Sequence, residues 1–248
     1  MKYTLGCVRK ADDDFALIQP GDSIAVGVSG GKDSMLCLEA LRLYQMFSHK
    51  QYSLCAITVD PGYGFDPAPL AQYCQMHSIP FHFAPGAVVE TANALAKPGK
   101  SPCSLCAKMR RGALNAKAKA LGCNKVALAH HRDDALETFL LSMFYEGRLN
   151  TLAPKSYLQR ADLTVIRPFL YLEEKHIKGA VRQLGLPVVP SPCPFDGHTK
   201  RETMKQYLKE LRKQFKRADE MMFFALSNTD GYHLWDQYKH CLLYTSPS

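Results

Sequence analysis

The sequence predicts an α/β fold in which a doubly wound parallel sheet carries a helical C-terminal extension. Short apolar segments with strand character alternate with helical segments along most of the chain. Polar clusters rich in glycine or aspartate follow three of the predicted strands, and a basic helical stretch lies near the C-terminus. Alternating strands and helices form parallel sheets that are covered on both faces, so these observations favour the doubly wound class.

The first half of the chain contains three predicted strands and two predicted helices. Alternating apolar residues indicate the strands, leucines at helical spacing indicate the first helix, and Asp60-Pro61-Gly62 is a strong turn signal. In chain order the elements are the strand Ser23–Val28, the helix Ser34–Met46, the strand Tyr52–Val59, the helix Pro69–His77 and the strand Phe81–Phe83.

The second half continues the same alternation. Gly122 and Gly185 are the glycines that end two of its helices, and a pair of carboxylates opens a third helix at its positive end. The elements are the helix Cys106–Leu121, the strand Lys125–Ala129, the helix Asp133–Phe144, the short strand Thr164–Ile166 and the helix Glu173–Leu184.

The stretch Lys200–Arg217 differs in composition from the rest, because it holds eight Lys or Arg against two Glu, a local net charge of +6. Its helical periodicity places apolar and basic residues on different faces: Met204, Leu208, Leu211 and Phe215 on one, Lys205, Lys209, Arg212 and Lys216 on the other. A further helix is predicted over Asp219–Ser227. We therefore divide the chain into an N-terminal segment (1–20), an α/β domain (21–198), a basic helical extension (199–240) and a tail (241–248) that we predict to be disordered.

The overall composition is that of a globular protein, with 46% hydrophobic residues and a net charge of +8. A concentrated basic face suits a polyanion such as nucleic acid, although a solvated helix face is the alternative interpretation. No apolar run approaches the roughly 20 residues that span a bilayer, and the N-terminus lacks the apolar core of a signal peptide. We expect no membrane association and a cytoplasmic location.

The loop Ser29–Ser34, with the sequence SGGKDS, follows the first predicted strand and has two interpretations. One is an ordinary glycine turn, and the other is a phosphate-binding cradle. In the second, backbone N–H groups at a helix start, the hydroxyls of Ser29 and Ser34, and the Lys32 ammonium would face a bound anion. Phosphate would repel the Asp33 carboxylate unless a cation lay between them, so Asp33 indicates Mg²⁺ held jointly with a nucleotide.

This hexapeptide resembles the PP-loop, SGGxDS, of the N-type ATP pyrophosphatases. The resemblance implies their Rossmann-like fold, also called adenine nucleotide alpha hydrolase-like, and a reaction in which ATP adenylates a carbonyl oxygen and releases pyrophosphate. It implies that Lys32 and Asp33 are catalytic and that the whole loop binds the nucleotide, namely Ser29, Gly30, Gly31, Lys32, Asp33 and Ser34. Asp60 lies where this class contacts the adenosine, and a role in the Asp-Pro-Gly turn is the alternative.

Three of the nine cysteines point to a metal or redox site. An odd number of mostly isolated cysteines argues against a secreted disulfide framework. Cys103-x-x-Cys106 is typical of a zinc half-site, a redox pair or a cluster half-site, and Cys193 lies in a matching proline-flanked loop. Three thiolates admit zinc, completed by His198, or a [4Fe–4S] cluster with one iron open to an exogenous ligand such as sulfide.

A block of five polar residues, HHRDD at 130–134, lies between a predicted strand end and a helix start. Asp133 and Asp134 are candidates for Mg²⁺ or nucleotide contact, with helix N-capping as the alternative. His131 and Arg132 are candidates for contact with ATP or RNA. Three further arginines are candidate phosphate partners because of their bidentate geometry: Arg110, Arg111 and Arg167.

The combination of CSLC, RRG, HHRDD, MFYEG and IRP motifs resembles the tRNA 2-thiocytidine synthetase family of PP-loop enzymes, from about Gly21 to Arg212. The resemblance implies that Cys103, Cys106 and Cys193 bind a [4Fe–4S] cluster. It also implies ATP- and Mg²⁺-dependent adenylation of the C2 oxygen of an anticodon-loop cytidine in tRNA, followed by replacement with sulfur. A cysteine desulfurase or another sulfide source would be a partner, and relatives suggest a homodimer.

Two alternatives remain beside this hypothesis of a tRNA sulfurtransferase. A lysidine synthetase-like ligase shares the PP-loop and adenylates the same position, but it needs no cysteine triad. A zinc-stabilised tRNA-binding protein without catalysis belongs to a different class, and the intact Ser29–Ser34 loop disfavours it. The sequence therefore predicts a tRNA sulfurtransferase.

Overall fold

The computed structural model describes residues 1–84, 91–92, 94, 102–193 and 200–228, and a sheet of six strands lies at its centre. The strands stand side by side in the order β3-β2-β1-β4-β6-β5, and all neighbours are parallel except β5 and β6. Their bounds are β1 Ser23–Gly27, β2 Ser53–Val59, β3 Phe81–Ala84, β4 Lys125–Ala127, β5 Lys155–Leu158 and β6 Leu163–Ile166.

Helices cover both faces of this sheet, so the predicted doubly wound α/β class is confirmed. A π-helical turn over Ser142–Glu146 continues the fifth helix. The bounds are α1 Lys2–Phe15, α2 Lys32–Phe47, α3 Ala68–Met76, α4 Cys103–Ala120, α5 Arg132–Leu141, α6 Glu174–Leu184, α7 Lys200–Gln214 and α8 Ala218–Ser227. None of these helices is both long and apolar enough to cross a membrane.

Strand β1 shows how the pleat divides the core between the two faces. Ile24 and Val26 belong to one buried cluster, together with residues of α1, α2 and α6. Ala25 belongs to a second cluster on the opposite face, against Leu114 and Ala118 of α4. Successive side chains of a strand point to opposite faces. A strand buried on both faces therefore needs the continuous apolar run that the sequence has here.

The turn from β1 into α2 is tight and depends on Gly30. Its φ of +83° lies in the left-handed region, and an added Cβ would lie 3.2 Å from both the Phe65 ring and Val189. The Gly30 carbonyl also accepts a hydrogen bond from the Val189 N–H at 3.0 Å. Helix α2 then begins at Lys32, two residues before the predicted start, so Lys32 and Asp33 lie in its first turn.

Two elements were not predicted from the sequence. Helix α1 lies in the N-terminal segment 1–20 and places Val8 and Ala11 in the core cluster shared with α2. Strand β5 forms the antiparallel edge of the sheet. Several sequence expectations fall outside the described residues, namely those for His198, the end of the extension at 229–240 and the tail at 241–248.

Candidate active site

Three polar clusters meet at one edge of the sheet, as predicted. Strands β2, β1 and β4 are parallel neighbours, so the segments that follow their carboxyl ends lie side by side. These segments are 60–64, 29–34 and 130–134. Ligands of open α/β sheets bind beyond the carboxyl ends of the strands, which makes this edge the candidate site.

The Ser29–Ser34 loop is held in shape by its own two hydroxyls. Ser34 Oγ accepts the Ser29 N–H at 3.1 Å and donates to the Gly31 carbonyl at 2.9 Å. The two hydroxyl oxygens are 3.2 Å apart. Both serines thus make hydrogen bonds within the loop that hold its backbone in shape.

Lys32 lies between two carboxylates. Its ammonium is 2.9 Å from Asp33 Oδ2 and 3.1 Å from Glu174 Oε1, the first residue of α6. Burial alone would lower the pKa of Lys32, but the two carboxylates outweigh it and raise that pKa. Burial alone would raise the pKa of Glu174, but Lys32 and Lys205 outweigh burial and lower that pKa to about 2. The Glu174 contact was not predicted from the sequence.

His131 is the N-cap residue of α5. Its Nδ1 accepts the Asp134 N–H at 3.4 Å, and Asp134 Oδ2 accepts the His131 N–H at 3.0 Å, forming a capping box. The other ring nitrogen, Nε2, is 3.4 Å from Asp134 Oδ2 and 3.8 Å from Asp33 Oδ1. His131 therefore lies beside the Ser29–Ser34 loop.

His130, which the sequence analysis did not select as a binding residue, lines the cavity beside the loop. Burial lowers its pKa to about 4, and the nearby cations Arg167 and Arg201 lower it further against the opposing charge of Asp134. The imidazole is therefore neutral at physiological pH. The sequence signal that could have identified His130 is its position directly after the predicted strand Lys125–Ala129.

Asp133 holds two neighbouring helices in place. One carboxylate oxygen accepts the Glu174 N–H at 2.8 Å, and the other accepts from Arg212 of α7 at 2.5 Å. Burial raises the pKa of Asp133, but these two donors outweigh it and lower that pKa. Asp133 therefore anchors α6 and α7 to α5. The capping alternative placed its carboxylate at the start of its own helix, whereas the structure has it accept an N–H at the start of α6.

Asp60 stabilises the Asp-Pro-Gly turn, which was the alternative to a contact with adenosine. Its Oδ1 accepts the Gly62 N–H at 2.8 Å, which is the hydrogen bond of an Asx turn. From the same strand, Ile57 and Val59 supply apolar wall to the cavity beside the loop.

A cavity of about 340 Å³ opens beside the Ser29–Ser34 loop. One part of its wall is apolar and the other carries charged and polar groups, a combination that suits a purine nucleoside with an attached phosphate. The apolar part is Val28, Ile57, Val59, Leu114, Leu128 and Ala129, and the polar part is Ser29, Asp33, Ser34, Arg110, Arg111, His130 and Asp134.

A second cavity of about 510 Å³ lies on the other side of the loop. Lys32 and Asp33 line it on one side and the segment Val188–Pro192 on the other, and Cys193 follows that segment directly. Ser29, Asp33 and Arg110 line both cavities. The two cavities are therefore neighbours that share part of their wall at the Ser29–Ser34 loop.

Cys103 and Cys106 lie in the first turn of α4, one helical turn apart on the same face. Burial raises the pKa of Cys106, Arg110 lowers it, and negative charge on Cys193 or Cys103 raises it, so the three thiols are electrostatic neighbours. All three are half-buried. Within the described part of the chain, no three His, Cys, Asp or Glu side chains converge tightly enough to bind a single metal ion.

Arg110, Arg111 and Arg167 bring positive charge to the same region. No carboxylate among the described residues pairs with any of the three. Burial lowers the pKa of Arg167, and the like charge of Arg111 lowers it further. Arg110 and Arg111 line the 340 Å³ cavity without a carboxylate partner among the described residues, which favours an anionic ligand there.

Buried Glu137 gives this region a testable pH dependence. Burial and the charge of Asp134 raise its pKa to about 7 against the opposing effect of Arg201. The folded state thus holds this proton more tightly than the unfolded chain, and stability falls as pH rises from about 4.5 to 7. The free energy of unfolding of Glu137→Gln, measured with urea, should therefore rise by ~2 kcal/mol relative to that of wild type between pH 5 and pH 8.

The exposed Glu210 provides the control for that experiment. Glu210→Gln should show the same stability difference from wild type at both pH values. An equal difference for Glu137→Gln at the two pH values would contradict the prediction.

Sequence comparison with known proteins matches this chain to a PP-loop family and to named relatives. Residues 8–215 match the PP-loop domain family. The tRNA-cytidine(32) 2-sulfurtransferase of Pelobacter propionicus is 42% identical over 233 residues, which cover 93% of this chain and 87% of the relative. The protein of the same name from Geobacter metallireducens is 39% identical over 233 residues, covering 93% and 91%.

A solved structure supports the fold at lower sequence identity. The U34-tRNA thiolase NcsA from Methanococcus maripaludis, determined with its [4Fe–4S] cluster, superimposes with a TM-score of 0.74 at 22% identity. The alignment covers 91% of this chain and 77% of that chain. At this identity the likeness establishes a shared fold.

Proposed function

The chain belongs to the tRNA-cytidine(32) 2-sulfurtransferase family, with a PP-loop domain over most of its length, and on this premise we propose that it thiolates tRNA. The reaction replaces the C2 oxygen of an anticodon-loop cytidine with sulfur and uses ATP. The observation that carries the proposal is the 510 Å³ cavity, which the PP-loop lines together with the segment leading to Cys193. The PP-loop and the segment that leads directly to Cys193 thus line one space.

In the first step the chain activates the base. The adenosine occupies the 340 Å³ cavity against Ile57 and Val59, and the phosphates extend over the PP-loop. The C2 oxygen of the cytidine, turned out of its loop, attacks the α-phosphorus, and the bond to pyrophosphate breaks. Lys32 stabilises the charge on the departing pyrophosphate, and Asp33 would hold the Mg²⁺ that accompanies it.

In the second step sulfur replaces the activated oxygen. Hydrosulfide from a separate sulfide source, such as a cysteine desulfurase, adds to C2 and loses its proton to solvent. The bond between C2 and the adenylate oxygen breaks, and AMP leaves with the original oxygen. Arg110, which lines both cavities, can contact the phosphate of AMP throughout.

Cys103, Cys106 and Cys193 would hold a [4Fe–4S] cluster, which when bound supplies an open iron for sulfide. The donor set fits this group, because thiolates are the ligands of iron–sulfur clusters and the three thiols are half-buried electrostatic neighbours.

The exposed side of α7 and the residues just after it bind the tRNA backbone. Lys209 of α7 and Lys216, two residues beyond its end, are exposed, whereas Lys205 and Arg212 pair with carboxylates of the domain. Binding through such lysines gives salt-dependent affinity with little sequence preference. A tRNA substrate agrees with a cytoplasmic location.

Analysis of protein purified without oxygen tests this proposal. We expect iron and acid-labile sulfide rather than zinc in the protein. Incubation with tRNA transcript, ATP, Mg²⁺ and sulfide should yield one AMP and one pyrophosphate for each 2-thiocytidine formed, measured by chromatography and nucleoside mass spectrometry.

A transcript with uridine in place of the target cytidine is the control and should give no thiolated nucleoside. Zinc without iron would contradict the three-thiolate cluster. AMP formation that requires free lysine instead of sulfide would identify the lysidine synthetase-like alternative.

A further inference from the structure

Glu174 lies where the PP-loop, α6 and the basic helix α7 meet. A single carboxylate oxygen, Oε1, is 3.1 Å from Lys32 Nζ, 3.2 Å from Lys205 Nζ and 3.3 Å from Lys178 Nζ. The Glu174 side chain is only 14% exposed. One buried carboxylate is therefore shared by three lysines from three different helices.

The backbone of Glu174 is fixed as well. Its N–H donates to Asp133 Oδ2 at 2.8 Å, and the other oxygen of Asp133 accepts from Arg212. The start of α6 is thereby tied to α5 and α7 at the same time. The Glu174 carboxylate has a defined position relative to the sheet edge even before a ligand binds.

We infer that Glu174 is a positioning residue that holds the Lys32 ammonium at the cavity shared by the PP-loop and the Val188–Pro192 segment. Lysine loses much rotamer freedom when it is immobilised. Asp33 is the neighbour of Lys32 in the same helical turn, so their contact cannot orient Lys32 relative to the rest of the fold. Glu174 comes from a different element and can do so.

The ligand that benefits is the pyrophosphate that Lys32 contacts, so the inference deepens the proposed function and rests on it for the reaction. An ammonium already held at its working position binds an anion without first losing its side-chain entropy. The charges also favour an anion, because three lysines (Lys32, Lys178 and Lys205) face two carboxylates (Asp33 and Glu174). The group as a whole thus keeps a net positive charge for the phosphate oxygens.

A double-mutant cycle on pyrophosphate binding tests this inference without any RNA. Calorimetry with inorganic pyrophosphate and Mg²⁺ compares wild type, Glu174→Gln, Lys32→Met and the double variant. We expect Glu174→Gln to weaken pyrophosphate about tenfold, the order of one lost preorganised charge contact. In the Lys32→Met background the same substitution should change affinity less than about twofold, because its target is gone.

Glu173→Gln is the matched control. Glu173 is the adjacent residue, is 18% exposed and pairs with Arg132 and Lys175, but not with Lys32. It should bind pyrophosphate as wild type does. Unfolding midpoints of all variants separate a loss of stability from a loss of affinity.

Three results would overturn the inference. They are additive losses in the cycle, a lowered unfolding midpoint for Glu174→Gln with unchanged pyrophosphate affinity, and a wild-type protein that binds no pyrophosphate. A non-additive cycle in a protein that fails to thiolate tRNA would uphold the role of Glu174 and refute the proposed reaction. The two hypotheses can therefore fail separately.

Discussion

Cys193→Ala is expected to lower tRNA thiolation at least ~100-fold, because loss of groups that merely support a metal ligand already costs about 10–100-fold. The proposed cluster depends on three thiolates, and this change leaves only Cys103 and Cys106. Pyrophosphate release in a single turnover with tRNA should persist, since a different segment forms the PP-loop. Nucleoside mass spectrometry and a pyrophosphate assay on the same samples measure both quantities.

The position of Cys193 is the reason for expecting so selective an effect. It follows Pro192, which lines the cavity that also contains Lys32 and Asp33. It is also near enough for its charge to raise the pKa of Cys106. The residue is thus adjacent to the activating loop and to the other two thiols, while its loss removes no phosphate contact.

Cys74→Ala is the matched control for this change. Cys74 is fully buried, and burial raises its pKa to about 11, so it is a neutral thiol that is shielded from solvent at physiological pH. Its replacement should leave thiolation near the wild-type rate. Thiolation by Cys193→Ala at that same rate would exclude Cys193 from the site.

The sheet and its functional edge could be predicted because their signals are local. Strands β1, β2 and β4 are buried runs bounded by turn residues, and parallel pairing follows from the helices between them. The PP-loop is contiguous in sequence, so its residues necessarily come together. The apolar segments predicted the fold, and the PP-loop predicted which edge of the sheet carries the candidate site.

Elements with weak local signals were missed. Strand β5 has alternating exposed and half-buried residues, and its place is set by antiparallel pairing with β6. Helix α1 is largely polar, and only a narrow stripe that includes Val8 and Ala11 reaches the core. Tertiary contacts stabilise both elements, and such contacts leave little trace in the local pattern.

The finer arrangement of the site depends on contacts between distant segments. The Lys32–Glu174 and Asp133–Arg212 pairs join helices that are far apart in the chain. Nothing in the spacing of these residues indicates that they meet. Their partners follow from how α6 and α7 pack on α2 and α5, so Asp133 could be recognised as an anchor only from the structure.

Asp33→Asn should lower pyrophosphate formation about 100-fold, the magnitude typical of losing one group that stabilises developing charge. The Asp33 carboxylate lines both cavities and lies 2.9 Å from Lys32 Nζ. An amide of the same shape keeps the packing but loses the charge. Single-turnover pyrophosphate release with saturating ATP and tRNA measures the effect.

The Mg²⁺ dependence of that variant separates two roles for Asp33. If the carboxylate binds Mg²⁺, half-maximal activity of Asp33→Asn will require a higher Mg²⁺ concentration, since amide oxygens are weaker ligands for this ion. If it only pairs with the Lys32 ammonium, the Mg²⁺ requirement will stay the same. Asp66→Asn, which alters an exposed carboxylate that accepts the Ala68 N–H at the start of α3, should retain wild-type rate and Mg²⁺ dependence. A wild-type rate for Asp33→Asn would contradict both roles, because each depends on the negative charge of the Asp33 carboxylate.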